Sequence, residues 1–430
     1  MHIQYFTERP YPDVPEDEII ERGSFFGLSN KYFDPAKAGD LYNRYLDEKL
    51  YAEEMGFDSC MLNEHHGTPF CLGSVMNIEA AILARITRRM KIALMGNPLP
   101  VADPLRLAEE LAEIDVISRG RLISGFVRGA GSEQLANNVN PAHNRERFYE
   151  AHDFIMQAWS KDGPWRYEGK HYHYRNVNPW AKPLQQPRPQ VWIPGVISPE
   201  SGRWAATMRY PYLALATAPG ATLEMKDIIA DQAAKEGYQA GTENYGYMQR
   251  VIVAETEERA YELGKSYLFG GGHPNFARPD KLFPSGYNSK EATQRLAKLS
   301  ANPEASFMGS QYKGKPKTTA ERRQRIYGTY DQRLESLDII AGTPKSVIPK
   351  LQRTLELLRP GILTIWHNEG SVSHQDTMTS LRLLGNEVLP AVREIGEKLE
   401  LYGPDEVAVG SRPLPASGVR ESVTDYRSAS

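Results

Sequence analysis

The chain has 430 residues, enough to bury a large core as two domains or as one enlarged α/β barrel. Its formal net charge of −3 is too close to zero to indicate binding to nucleic acid or to a membrane surface. Only two cysteines, Cys60 and Cys71, occur, which argues against a disulfide framework and fits a reducing cytosol. The N-terminus lacks a signal-peptide pattern and no apolar run reaches membrane-spanning length, so we expect a cytoplasmic protein.

The chain begins with strand and helix signals in alternation. Residues 3–6 form a short apolar run that predicts a strand. The polar segment 7–39, which contains several Gly and Pro residues, is long enough for a loop to have a function. The next predicted elements are helix 41–55, strand 59–62, and helix 78–86 with Asn77 as its N-cap.

Residues 90–131 form the clearest unit of the sequence. A strand at 92–94 is predicted to stop at a Gly-Asn-Pro run (96–98). An Asp-Pro pair (103–104) then starts a helix, and a second strand follows at 122–127. This order is a βαβ unit, so the two strands should be parallel with a right-handed crossover. In a parallel barrel, the residues that follow such strands lie on the face that binds ligands.

The second half of the chain continues the alternation. Residues 165–180 alternate aromatic and polar side chains, which predicts an inserted β-hairpin. The other predicted elements are helix 145–159, strand 191–194, a helix opening at 198–201, strand 212–216, helix 223–236, strand 248–254, helix 257–268, helix 344–358, strand 362–366 and helix 375–389.

Eight predicted strands that alternate with helices are typical of an α/β protein with a (β/α)8 TIM-type barrel. We predict one barrel domain over residues 1–400, with an insertion at about 270–337 between strands 7 and 8. Residues 401–430 are predicted to form an extended or disordered tail. A doubly wound open sheet is the alternative, but no G-x-G-x-x-G follows the first strand.

The run Asn63-Glu64-His65-His66 follows the second predicted strand. One histidine could enter the barrel mouth as a hydrogen-bond donor or proton carrier; alternatively, one bonds locally and the other lies on the surface. A shared metal ion is disfavoured because adjacent residues of an extended chain point to opposite faces. No H-x-H or H-E-x-x-H accompanies these two histidines, so a metal-dependent hydrolase is disfavoured and we predict no metal ligands.

A second group of residues could bind an anion. Ser198 and Ser201 begin a predicted helix after a strand, where backbone amides and hydroxyl groups suit a phosphate; alternatively, Ser198 is an ordinary N-cap. Arg128 follows the fourth strand, and either Arg145 or Arg147 could join it. An isolated arginine more often forms a surface ion pair.

Four segments together carry a resemblance to a known family. They are NEHH after the second strand, DPLRLAEELAEIDVISRGRL, GFVRG, and VWIPGVISPES. Their order is similar to that of bacterial luciferase-like flavin-dependent monooxygenases. The resemblance runs from residue 3 to about residue 393 and is interrupted at 270–337.

The resemblance implies a TIM barrel that binds reduced flavin mononucleotide (FMN), often as a dimer, with a separate reductase supplying the reduced flavin. It implies that O2 and reduced FMN form a C4a-(hydro)peroxyflavin, which inserts one oxygen atom into a small organic substrate. Carried over by position, the catalytic histidine is His65 rather than His66. The implied flavin contacts are Gly96, Asn97, Val127, Arg128, Gly195, Val196, Ser198 and Ser201.

Two rival functions stay open, a deazaflavin (F420)-dependent oxidoreductase and a barrel that binds flavin without catalysis. The organic substrate is not identified by the sequence. Several aromatic residues could line an apolar pocket or belong to the core: Tyr5, Phe6, Phe25, Phe26, Phe70 and Trp366. The insertion at 270–337 could fold over the barrel mouth, or it could be a tolerated surface loop.

Overall fold

A computed structural model of the chain describes residues 1–25, 27–196, 198–268, 286–287, 289–294, 318–367, 369 and 372–420. Within these ranges the strands are β1 (His2–Phe6), β2 (Ser59–Leu62), β3 (Lys91–Pro98), β4 (Leu122–Val127), β5 (Trp165–Glu168), β6 (His173–Val177), β7 (Gln190–Gly195), β8 (Tyr212–Ala214), β9 (Tyr245–Val253), β10 (Ile339–Gly342) and β11 (Ile362–His367).

The helices surround these strands. In chain order they are α1 (Glu16–Arg22), α2 (Pro35–Glu54), α3 (Met76–Ile86), α4 (Pro104–Ser118), α5 (Gly131–Ala136), α6 (Asn144–Ser160), α7 (Pro199–Thr207), α8 (Pro219–Lys235), α9 (Glu257–Gly264), α10 (Thr319–Tyr327), α11 (Tyr330–Glu335), α12 (Pro344–Leu358), α13 (His374–Leu383) and α14 (Leu389–Lys398). No helix in the described ranges is both long and apolar enough to cross a membrane.

Eight parallel strands close into a barrel in the order β1-β2-β3-β4-β7-β8-β9-β11, and β11 pairs back with β1. The predicted (β/α)8 barrel is therefore confirmed. Strands β5 and β6 form a separate antiparallel hairpin, as the alternating pattern predicted.

Strand β10 is an addition that the sequence did not reveal. It pairs in parallel with the second half of β9, and Arg250 and Val251 of β9 pair with both β10 and β11. Strand β10 must therefore lie on the β8 side of β9, beyond the point where the three-residue β8 ends. Its four residues are all buried, and so short an apolar segment after a polar region gives little periodic signal.

The core has two layers, as alternation along each strand requires. Residues such as Phe6, Met61 and Ile123 pack inside the barrel. Their neighbours, such as Leu62 and Leu122, pack between the strands and the surrounding helices. Because all the barrel strands run parallel, their carboxyl ends lie on one face of the barrel, where the candidate site lies.

Several predicted boundaries were wrong. Strand β3 continues through residues 96–98 because the chain keeps pairing with β4 across a register shift between Leu94 and Asn97. Asn77 lies inside α3, whose N-cap position is Val75. Segment 7–39 contains α1 and the start of α2.

The predicted insertion and tail are described only in part. Helices α10 and α11 occupy residues of the insertion for which no regular structure was predicted; residues 269–285, 288 and 295–317 lie outside the described ranges. Residues 401–420 contain no helix, and the Asp405 carboxylate accepts hydrogen bonds from Lys91 and Gln190 beneath the barrel. Residues 421–430 are outside the description, and the predicted domain division stays a prediction.

Candidate active site

His65 lies just after β2 and is fixed by a carboxylate from another part of the chain. Its Nδ1 lies 2.6 Å from Oε1 of Glu133, which belongs to α5 and whose side chain is 4% exposed. The second oxygen of Glu133 accepts a hydrogen bond from the backbone N–H of Ala130 at 2.8 Å. Because a carboxylate only accepts, Nδ1 of His65 donates, and Nε2 has no hydrogen-bond partner among the described residues.

The surroundings of His65 favour its protonated form. Burial by itself would lower the pKa of His65, but the charge and hydrogen bond of Glu133, together with the charge of Glu8, raise it above 6.5. An imidazolium carries a proton on both ring nitrogens. When His65 is protonated, the arrangement therefore offers an N–H donor at Nε2.

Aromatic rings surround the same imidazole. The ring centroids of Phe25 and Phe70 each lie 5.5 Å from that of His65, and Phe25 packs against Phe70. Phe6 contacts Trp366 inside the barrel. These four residues are consistent with the predicted apolar pocket, and Phe26 lies outside the described residues.

Tyr5 is not part of this pocket. Its ring packs on the outer side of the barrel strands, against Phe57 and His367. The alternation of β1 explains the difference, because Tyr5 and Phe6 are neighbours in a strand and so point to opposite faces.

His66 has a different partner from His65. Its Nε2 lies 3.2 Å from Oε1 of Glu64, and the other oxygen of Glu64 accepts from the backbone N–H of Met76 at the start of α3. His66 therefore makes a local hydrogen bond within its own segment. The two histidines have different partners, in line with the expectation that adjacent residues of an extended chain point to opposite faces.

A buried polar network beneath His65 was not predicted from the sequence. Arg9 Nη2 donates to both the backbone oxygen and Oδ1 of Asn63 at 2.6 Å, and its Nη1 donates to Glu79 at 2.6 Å. Asn63 in turn donates to Glu8, whose pKa is raised by burial. This network fixes the start of the segment that carries His65. The sequence signal for it was an adjacent Glu-Arg pair (residues 8–9) that follows the predicted strand 3–6 after one intervening residue.

A second group of side chains meets farther along the same barrel face. Arg145, in the first turn of α6, lies with Nη2 3.4 Å from Ser198 Oγ and 3.8 Å from Glu200. Burial and the positive charge of Arg145 lower the pKa of Arg128 to about 10. Arg128 also donates to the backbone oxygen of Tyr287 at 3.1 Å.

The hydroxyl of Ser198 does not cap α7, although Ser198 occupies the N-cap position. It donates to Glu200 at 2.8 Å and faces Arg145 instead. The pKa of Glu200 is lowered despite burial, because Ser198, Ser289 and Arg145 stabilise its charge. The group of Arg128, Arg145, Ser198 and Glu200 contains two guanidinium groups and one carboxylate, so its net charge is one positive unit.

Arg147 does not contact this group of residues. Its Nε donates to the backbone oxygen of Pro100 at 3.4 Å, and its guanidinium lies 4.7 Å from the centre of the Tyr172 ring. Of the two predicted alternatives, the structure brings Arg145 to Ser198.

Strands β3 and β4 approach each other unusually closely at two glycines. A Cβ at Gly96 would lie 2.8 Å from the carbonyl group of Gly125, and a Cβ at Gly125 would lie 2.1 Å from the Leu94 oxygen. The Met95–Gly96 peptide bond is cis. Asn97 is buried, and its Nδ2 has no hydrogen-bond partner among the described residues. An unpaired buried amide of this kind is suited to a ligand carbonyl.

The remaining predicted contacts lie at the ends of β4 and β7. Val127 is the last residue of β4 and is partly exposed. A Cβ at Gly195 would lie 2.4 Å from the Tyr212 hydroxyl, so this strand end requires glycine. Val196 follows it and is partly exposed, and Ser201 lies in the first turn of α7. All these positions are on the barrel face that carries His65.

A model of the luciferase-like monooxygenase family matches residues 32–358, which is most of the chain. The chain belongs to the luciferase-like monooxygenase family. The resemblance found in the sequence is thus confirmed, and the protein is an oxidoreductase of the flavin-dependent monooxygenase type.

Individual relatives of this luciferase-like monooxygenase are distant. The oxygenase component of flavin-dependent trigonelline monooxygenase from Acinetobacter baylyi is 27% identical over 175 residues, 40% of this chain and 48% of that protein. The fold is similar to that of the oxygenating constituent of 3,6-diketocamphane monooxygenase from Pseudomonas putida, solved with FMN (TM-score 0.62, 18% identity, 86% of this chain and 97% of that chain). It is also similar to that of an F420-dependent secondary alcohol dehydrogenase solved with an F420–acetone adduct (TM-score 0.59, 14% identity, 91% and 99%).

Proposed function

We propose that this luciferase-like monooxygenase uses reduced FMN and O2 to insert one oxygen atom into a small organic substrate. The observation that carries the proposal is the corner formed by Arg128, Arg145 and Ser198 on the barrel face that also holds His65. Two arginines that repel each other beside a helix N-terminus are suited to a phosphate, and the cofactor would supply that group.

The residues present fit a flavin phosphate and ring. Arg128, Arg145, Ser198 and Ser201 would hold the phosphate, with Gly195 and Val196 beside them. Gly96, Asn97 and Val127 would contact the ring, where the unpaired amide of Asn97 can donate to a carbonyl oxygen. When bound, reduced flavin supplies the electrons for activating O2, which is chemistry that no side chain of the protein can supply.

His65 is the proposed catalytic residue. Glu133 holds its Nδ1 and favours the imidazolium, so Nε2 can donate a hydrogen bond or a proton to the oxygen group being transferred. Phe25 and Phe70 pack against the ring and limit its contact with water. Exclusion of water protects a reactive oxygen species from hydrolysis and proton leakage.

A cleft of about 390 Å³ adjoins Phe70 and supports a small organic substrate. Its walls are largely apolar and include Tyr11, Val14 and Ile19 from the N-terminal segment and Leu263 from α9. Glu16, Glu262 and Lys265 are the charged residues in its lining. We propose that substrate reaches the His65 region along this cleft.

Two further partners are part of the proposal. A separate reductase would supply the reduced FMN, in keeping with the trigonelline monooxygenase, whose oxygenase is one component of the enzyme. A homodimer is supported by an exposed apolar stripe on α3, where Ile78, Ile82 and Ile86 are 63%, 41% and 37% exposed. Val116 and Ile117 of the neighbouring α4 extend this surface.

The test is a direct measurement of cofactor use. Anaerobic titrations would compare reduced FMN with reduced F420, and stopped-flow mixing with O2 would then follow oxidation and product formation with a panel of apolar substrates. The proposal expects tight binding of reduced FMN and substrate-dependent oxygen transfer. Preference for F420 would support the deazaflavin alternative, and FMN binding without turnover of any substrate would support a non-catalytic barrel.

A further inference from the structure

Three side chains with metal-binding atoms meet where the β5–β6 hairpin packs against the start of α6. His143 occupies the N-cap position of α6, Glu146 lies in its first turn, and His171 lies in the hairpin turn. Glu146 Oε2 lies 3.1 Å from His171 Nε2 and 3.6 Å from His143 Nδ1. One ligand atom from each residue lies within 4.8 Å of the other two.

We propose that His143, Glu146 and His171 form a binding site for a divalent transition-metal ion, with Zn²⁺ as the best match. Imidazole and carboxylate ligands suit Zn²⁺, Ni²⁺ and Cu²⁺. Zinc bonds of about 2.0–2.2 Å in a tetrahedron place neighbouring ligand atoms roughly 3.3–3.5 Å apart. The distances from Glu146 to the two histidines, 3.1 and 3.6 Å, lie on either side of that range.

The backbone around this cluster is held by hydrogen bonds to a residue outside it. The carboxylate of Glu150, one turn after Glu146 on α6, accepts from the backbone N–H groups of His171 at 2.9 Å and Tyr172 at 3.0 Å. These bonds hold the hairpin turn against the helix. Metal binding then has to order side-chain rotamers only, which reduces its entropic cost.

Lys170 competes for the same carboxylate. Its Nζ lies 2.9 Å from Glu146 Oε2, and both side chains are at least half exposed. Exposed ion pairs of this kind contribute little, and a divalent ion held by three ligands provides a larger and more directional attraction. Lys170 can therefore swing into solvent when the metal binds.

The site differs from the proposed flavin site and does not depend on the proposed function. Three protein ligands leave a fourth position for water, and two of the three ligands are well exposed. The expected effect is structural: the ion would link the hairpin to the first turn of α6, the turn that carries Arg145.

The test is metal binding by the full chain, purified without a histidine tag and treated with a chelator. Calorimetry with Zn²⁺ and visible absorption with Co²⁺ would be measured for the wild type and for His143→Ala, Glu146→Gln and His171→Ala. His173→Ala is the matched control, because His173 is exposed on the same hairpin but lies outside the cluster.

We expect one Zn²⁺ per chain, a tetrahedral Co²⁺ spectrum, and affinity at least about tenfold weaker in each of the three variants. His173→Ala should bind Zn²⁺ like the wild type. Saturating Zn²⁺ should raise the Tm of the wild type and of His173→Ala more than the Tm of the three cluster variants. No saturable binding, or an equal loss of affinity in His173→Ala, would overturn the proposal. An unchanged Tm of each metal-free variant would show that the substitutions leave the fold intact.

Discussion

Nδ1 of His65 lies 2.6 Å from Oε1 of Glu133, although the two residues are 68 positions apart in the sequence. The contact joins the segment after β2 to the short helix after β4. We infer that Glu133 is a positioning residue, which orients the imidazole and holds its proton while Nε2 faces the reacting groups.

Glu133→Gln is expected to shift the pH dependence of oxygen transfer to lower pH. The folded-state pKa of His65 is raised above 6.5, so its proton is fully bound below that pH and is lost as the pH rises through the raised pKa. Gln can still accept at its oxygen but removes the charge, which brings the upper pH limit of product formed per O2 consumed closer to 6.5. Glu64→Gln, which affects His66, should leave this limit in place. An unchanged profile in Glu133→Gln would argue against the positioning role.

His65→Ala should separate flavin oxidation from oxygen transfer. Reduced FMN should still bind within a few-fold of the wild type, because the proposed phosphate contacts lie at Arg128, Arg145 and Ser198. Loss of a proton donor typically costs about 10²–10⁴-fold, so hydrogen peroxide should replace product. His66→Ala should have a milder effect on this ratio, because His66 bonds to Glu64. If His65→Ala formed as much product per O2 consumed as the wild type, the histidine would be structural.

Arg145→Ala and Arg128→Ala should each weaken FMN binding by roughly tenfold or more, since a charge-assisted hydrogen bond contributes about 1.5–3 kcal/mol. Arg147→Ala is the matched control on the same helix, because Arg147 contacts Pro100 and Tyr172 instead. Riboflavin, which lacks the phosphate, should bind almost equally to all four proteins. Fluorescence titration of both ligands would check this. Equal losses for FMN and riboflavin would assign the arginines to the fold.

Gly125→Ala should reduce the free energy of unfolding by about 1–3 kcal/mol and should also weaken FMN binding. The added Cβ would meet the Leu94 oxygen at 2.1 Å and Met95 Sδ at 2.9 Å, so β3 would have to move. Gly39→Ala inside α2 meets no atom within 4 Å and should stabilise the protein by about 0.5–1 kcal/mol. Urea denaturation of both variants measures the difference. A stable Gly125→Ala protein would show that the strands can separate at no cost.

Replacing Ile78 and Ile82 together by Lys should convert the proposed homodimer to a monomer. Both side chains lie on the exposed face of α3, and burying two lysines there would leave their charges unpaired. Trp180→Lys is the control, because Trp180 is 92% exposed and lies in a different region. Sedimentation velocity gives the mass of each species. A wild-type monomer, or a dimer that survives the double substitution, would refute this interface.

The sequence by itself determined the barrel and the face that carries the site. Strands β2 and β4 begin and end where their apolar runs predicted, and Asp103 caps α4 as expected, accepting from the N–H of Arg106 at 2.9 Å. These features depend on local periodicity and local hydrogen bonds, which neighbouring residues specify. The order of motifs after successive strands was sufficient to place His65, Arg128 and Ser198 at the same end of the barrel.

Only the tertiary structure decided which side chains meet there. Successive helical residues are separated by about 100°, so Arg145 and Arg147 lie about 200° apart around α6, and the rotation of the docked helix selected Arg145. Partners such as Glu133 for His65 and Arg9 for Asn63 come from separate segments that approach only when the barrel closes. Strand β10 was missed for the same reason, because four buried residues become a strand only by pairing with the part of β9 that extends beyond β8.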